Sequence, residues 1–179
     1  MVHPVVLAVA VAVAVLAGCG KVQEKVAEKA IESSLSKDGS KAKVDMADGG
    51  MKMSTTDASG KTSQVEIGGK AQVSEAEAGV PFYPGAKPIE GSTMRVASGD
   101  ATVLQVALQS DDAPDKVAAF YRDKLKAMSE GKQLMDMASP EGAMLGLVDD
   151  KAKSTIQVHI GKADPRGSSI MISSSRGKQ

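Results

Sequence analysis

Thioethers are the side chains of this 179-residue chain whose type and spacing suggest chemistry: it holds ten methionines. Met51 and Met53 stand two apart, as do Met135 and Met137, and Met46 lies close to the first pair. On a strand, a spacing of two sends both side chains to the same face. Thioethers are soft ligands for Cu(I), so Met46, Met51 and Met53 are candidate metal-binding residues of a carrier. The competing reading makes methionine a flexible filler for an aromatic-poor core, since there are two Phe, two Tyr and no Trp. Other constellations are weaker. His159 stands between Val158 and Ile160, on the opposite face of a strand from both, with no nucleophile at an informative spacing. Ser34-Leu35-Ser36-Lys37 matches an SxxK motif and Lys61-Thr62-Ser63 echoes its KTG companion, but the chain is too short for the fold that uses them. Asp45 and Asp48 with Gly49 do not reproduce a calcium loop. No catalytic residue and no cofactor is assigned, and a non-enzymatic protein is expected.

Cys19 is the one cysteine, so no intramolecular disulfide, CxxC pair or zinc cluster can be drawn. It closes an apolar run, Val5 to Leu16 (VVLAVAVAVAVL), through Leu16-Ala17-Gly18-Cys19. That tetrapeptide is similar to the lipobox of bacterial lipoproteins, although Met1-Val2-His3-Pro4 lacks the Lys or Arg usual ahead of such a run. The resemblance implies that residues 1–18 are an export signal and that Cys19 becomes the lipidated first residue. The apolar stretch, about 15 residues, falls short of the roughly 20 that a membrane-spanning helix needs. Acyl chains bring about 0.8 kcal/mol per buried methylene, and several of them anchor a protein durably. Gly20 replaces the Asp that retains such proteins in an inner membrane. The implied location is the cell envelope, at an outer membrane facing the periplasm in a Gram-negative host.

Basic and acidic side chains balance at 22 each, and no block of one sign could steer a polyanion. With so few aromatic rings to stack bases, nucleic acid is excluded as a partner. The expected partners are the membrane, through the lipid on Cys19, and another envelope protein.

The elements that position these residues follow from periodicity. Residues 21–35 carry Val22, Val26, Ala30, Ile31 and Leu35 near a 3.6-residue repeat, with Lys and Glu on the other face. From 39 to 69, short alternating runs split by Gly and Asp turns predict a β-meander, and 70–79 read as a linker. In 80–176, strands are predicted over 92–98 and 101–109 and a helix over 114–128. Pro114 sits at its first turn, Gly131 ends it, and Val117, Phe120, Tyr121, Leu125 and Met128 form its buried stripe, with Arg122 and Lys126 off it. Four strands follow, near 133–138, 143–148, 154–160 and 168–174. The fold class is therefore α+β: an antiparallel sheet with one packed helix, ordered ββαββββ, preceded by a short N-terminal helix and a β-meander. The expected divisions are 1–18 signal peptide, 19–38 anchored helix, 39–79 meander and linker, and 80–179 α+β domain.

Tyr83-Pro84-Gly85-Ala86, followed by Asp111–Leu125 (DDAPDKVAAFYRDKL), resembles a small α+β domain that recurs in exported bacterial lipoproteins. The resemblance covers roughly residues 24–175, implies architecture, and brings no catalytic residues with it. The function expected is a membrane-anchored envelope lipoprotein with a binding or structural role. The alternative is a soft-metal, Cu(I), or small-ligand carrier using the Met-bearing strands.

Overall fold

The computed structural model describes residues 21–36, 39–47, 49–69 and 73–177. Helix α1 (Lys21–Leu35) precedes the hairpins of β1 (Lys41–Ala47), β2 (Gly50–Thr56) and β3 (Thr62–Gly68). The short helix α2 (Glu75–Ala78) and strands β4 (Lys87–Pro88), β5 (Met94–Ser98) and β6 (Ala101–Ser110) come next. Helix α3 (Pro114–Ala127) is followed by β7 (Gln133–Ser139), β8 (Gly142–Asp149), β9 (Ser154–Lys162) and β10 (Ser168–Arg176). All ten strands join one antiparallel sheet in the order β1-β2-β3-β5-β6-β10-β9-β8-β7, with β4 paired to the far end of β6.

The meander and the C-terminal strands were expected as separate units, the latter as ββαββββ. The structure joins them, because β3 pairs with β5 from Ser63–Ser98 to Ile67–Met94. A three-stranded meander with few apolar residues is marginal alone, and this seam gives it a fourth neighbour. The expected linker also gains structure. Ser74 and Glu77 make a reciprocal capping box around α2, and Gly79 closes it in the left-handed region at φ 78°. Ala78 is thereby placed in the core, fully buried.

The core lies on one side of the sheet. Leu104, Val106 and Leu108 of β6, Leu145 and Leu147 of β8, Val158 and Ile160 of β9, and Ile170 and Ile172 of β10 pack against Val117, Ala118, Tyr121 and Leu125 of α3. Each Val, Leu or Ile among them stabilises the fold by about 1.5–3 kcal/mol on burial. Phe120, expected in the buried stripe, is only partly buried at the edge of this cluster. At 3.6 residues per turn, the stripe through Val117, Tyr121 and Leu125 runs every four residues, and Phe120 falls to its side.

Helix α1 is docked along the free edge of β1 by hydrogen bonds as well as apolar contact. The Met46 and Val44 amides donate to Oε1 of Glu28 (2.7 Å) and of Glu32 (2.8 Å), and the Ala42 amide donates to Oγ of Ser36 (3.0 Å). Four helical residues rise about 6 Å and two strand residues about 6.8 Å. Acceptors every fourth residue on the helix thus match donors every second residue on an antiparallel strand.

Candidate functional site: the sheet face opposite the helix

Residues paired across an antiparallel ladder share a face, so the registers give the composition of both sides of the sheet. Opposite α3, one row crosses nine strands: Met46, Met51, Ile67, Met94, Gln105, Ser173, Gln157, Gly146 and Met135. A neighbouring row holds Val44, Met53, Val65, Val96 and Val103. Toward the other end, a third row reads Ala107, Met171, His159, Met144 and Met137. Met46, Met51, Met53, Met94, Met135, Met137, Met144 and Met171 therefore all occupy the side away from the helix-covered core. Among the described methionines, Met128 is the one that packs against that core. The filler reading of methionine does not describe this distribution.

This face is closed at the β1 end, where Val44 is 4% exposed, and opens further along. Ile67 is 36%, Met135 37%, Val103 40% and Met137 51% exposed. Gly146 is part of the arrangement, because a Cβ there would lie 2.6 Å from Cε of Met135. The missing side chain lets the Met135 thioether fold over the sheet.

The helix side is not uniform. Its row reads Asp45, Lys52, Glu66 and Arg95 over β1, β2, β3 and β5, then Leu104, the buried Ser174, Ile156 and Leu147. Lys52 and Arg95 each reach Glu66 at 3.2 Å, and Arg95 also reaches Glu77 of α2 at 2.6 Å. The backbone N–H and hydroxyl of Ser74, with Arg95 beside them, hold the Glu77 carboxyl below its usual range.

A second polar cluster fastens the Tyr83 lead-in to α3. The Tyr83 hydroxyl donates to Oδ2 of Asp112 (2.6 Å), and its amide donates to the hydroxyl of Tyr121 (3.0 Å). Phe120 meets both tyrosine rings edge-on, with centroids 5.2 and 5.1 Å away. The Tyr83 hydroxyl and then Lys116 hold the Asp112 carboxyl below the ordinary carboxylate range, and Asp112 raises Tyr83 and Lys116 in return. Burial pushes the Tyr121 phenol upward. These groups are saturated by one another, and their chemistry is that of a clasp.

Of the residues singled out in the sequence, Met46 and Met51 stand directly opposite each other and Met53 opposite Val44. Ser34 is engaged with the Ile31 carbonyl. Lys37, Asp48 and Cys19 lie outside the described residues. His159 is half-buried, and its cross-strand neighbours are Met144 and Met171. The sequence reading missed Met94, Met144 and Met171. A signal was available, since Met144 adjoins the buried Leu145, and Met171 stands between the buried Ile170 and Ile172, which sets both on the other face. Among the described residues no three His, Cys, Asp or Glu side chains gather as a metal cluster, and no helix is long and apolar enough to cross a membrane.

A family model described as START domain-like matches residues 91–169. The match takes in β5, β6, α3 and β7 to β9, and leaves out α1 and the meander. No curated protein and no solved structure matches the chain.

Proposed function

We propose that this chain is a lipid-anchored envelope protein with a non-enzymatic binding role, held to the membrane through Cys19 and working through the sheet face opposite α3. The observation that carries this reading is the set of exposed apolar side chains on the face opposite α3, Ile67, Val103, Met135 and Met137, which the helix-covered core does not use. The eight strands from β2 to β7 along this face, about 4.8 Å apart and each roughly seven residues at about 3.3 Å, span on the order of 800 Å². A standard protein interface needs about 800 Å² per partner. Methionine suits such a surface, because its unbranched chain adapts to the shape set against it. The occupant is an apolar surface of another envelope protein. The envelope location rests on Leu16-Ala17-Gly18-Cys19, and the lipoprotein domain type on Tyr83-Pro84-Gly85-Ala86 with the helix that follows.

Site-specific photocrosslinkers in intact cells test this. One at Val103 on the open face should give a discrete protein adduct, and one at Lys43 on the charged face should not. Equal adducts from both positions, or none from Val103, overturn the reading. Cys19→Ala should release the protein from the membrane fraction or leave it unprocessed.

A second reading, a soft-metal carrier, is favoured by one specific observation: thioethers meet across strands at Met46–Met51 and at Met137–Met144.

A further inference from the structure

The third row of the open face has a composition the first two lack. Met137, Met144, His159 and Met171 follow one another across β7, β8, β9 and β10, each directly opposite the next. Cβ atoms of such pairs lie about 4.5–5.5 Å apart, so His159 has a methionine as its cross-strand neighbour on either side. All four line one open depression at the end of the sheet. On one side the next row is Ser169, Gly161, Gly142 and Ser139, so nothing bulkier than a hydroxymethyl group stands beside the line. On the other side Met135 lies over Gly146. The Met171 sulfur accepts a hydrogen bond from Nε2 of Gln105 on β6 at 2.8 Å, a contact that a metal ligand at this position exchanges for the bond to the cation. The charged residues lining the depression are Glu141 and Lys162.

The geometry points to a binding site for a soft monovalent cation, Cu(I), made of the imidazole of His159 and the thioethers of Met144 and Met171, with Met137 next in line. The thioethers favour Cu(I) over hard ions, and the imidazole is a ligand that copper also accepts. This inference deepens the carrier reading and rests on it, not on the partner reading. It also moves the site. Met46, Met51 and Met53 supply three thioethers and no imidazole, at the opposite end of the sheet, and the stronger donor set is here.

The test uses the full-length protein in detergent, with Cu(I) competed against a chromogenic Cu(I) chelator and Ag(I) titrated as the redox-inert probe. One equivalent of Cu(I) should leave the chelator. Ag(I) should shift the methyl resonances of Met144 and Met171 in a protein labelled at its methionine methyls, and leave those of Met46, Met51 and Met53 in place. His159→Ala and Met144→Leu should each weaken binding about tenfold or more, with unchanged circular dichroism showing that they fold. Retained affinity in both variants but loss in Met51→Leu/Met53→Leu would overturn this site and keep the carrier reading. No metal withdrawn by the unaltered protein would overturn both.

Discussion

At the scale of single residues, the stability of the helix-covered side concentrates on Tyr121. It is fully buried, and its hydroxyl is the acceptor for the Tyr83 amide. Tyr121→Phe keeps the ring but leaves that N–H unanswered, which should cost about 1–3 kcal/mol in a denaturant melt. Tyr121→Ala should cost about 3–5 kcal/mol, and Phe120→Ala less, because Phe120 is only partly buried. The reverse order would place Phe120 at the centre of the core. Arg122, expected off the buried stripe, pairs with Asp136 of β7 through both Nε and Nη2; as a part-exposed pair it contributes up to about 1 kcal/mol.

Acid stability follows from the carboxyls. Asp57, Glu77, Asp112 and Asp136 are all held below their ordinary values of 3.8 for Asp and 4.5 for Glu. A depressed folded-state value gives stability that is present above the unfolded value and lost as pH falls through the folded one. The melting temperature should therefore hold from pH 7 to about pH 5 and drop below about pH 4. Asp112→Asn should make that drop shallower, and a profile unchanged by it would mean that the Tyr83–Asp112 bond adds nothing. The sequence displayed Tyr83 and the Asp112–Tyr121 segment as motifs. It did not show that they touch, because a hydrogen bond across 29 positions leaves no local periodicity.

At the scale of elements, α1 earns its place through acceptors. Its apolar stripe is thin, and Val26 is 65% exposed. Glu28→Ala with Glu32→Ala should speed amide exchange at Val44 and Met46 by more than tenfold and leave the amides of β9 unchanged. Unaltered exchange would mean that the apolar contacts alone hold α1. Helix α1, the meander and α3 were legible because turn residues and apolar spacing are local signals. Pro114 at the first turn of α3 and the glycine turns at Gly49 and Gly60, with φ of 73° and 83°, are such signals. Helix α2 was not legible, since four residues are too few for a period and only the capping pair Ser74 and Glu77 announces it. Nor was the docking of Glu28 and Glu32 on β1, because lysine–glutamate spacing on a helix reads the same whether it faces water or a strand.

Across the whole molecule, the alternation of each strand was readable, but the joining of the strands was not, and the site follows from the joining. The β3–β5 seam makes one face continuous and leaves the other charged at one end and apolar at the other. Met46, Met51 and Met53 could be grouped from spacing within a hairpin. Met144, His159 and Met171 come together only through pairings between strands that the sequence does not declare. The same seam sets where the chain can be cut. A fragment of residues 73–179 retains the Glu77–Arg95 pair and the buried Ala78. It should unfold cooperatively and at a higher temperature than one starting at 80. Equal melting temperatures would mean that α2 adds nothing to the core.

The two borders of the sheet are finished differently. At β1 the outward amides of Ala42, Val44 and Met46 are occupied by α1. At β7 every residue is exposed, and its one charged side chain, Asp136, is turned to Arg122. An unoccupied border strand is a template for further pairing, so of the two ends of the main strand order, β1 and β7, the described residues leave β7 as the one open to an incoming strand. A chain with two such borders could propagate without limit, copy upon copy. With one of them sealed by its own glutamates, two copies meeting at β7 exhaust their free borders at once, and growth by strand pairing terminates at a closed pair.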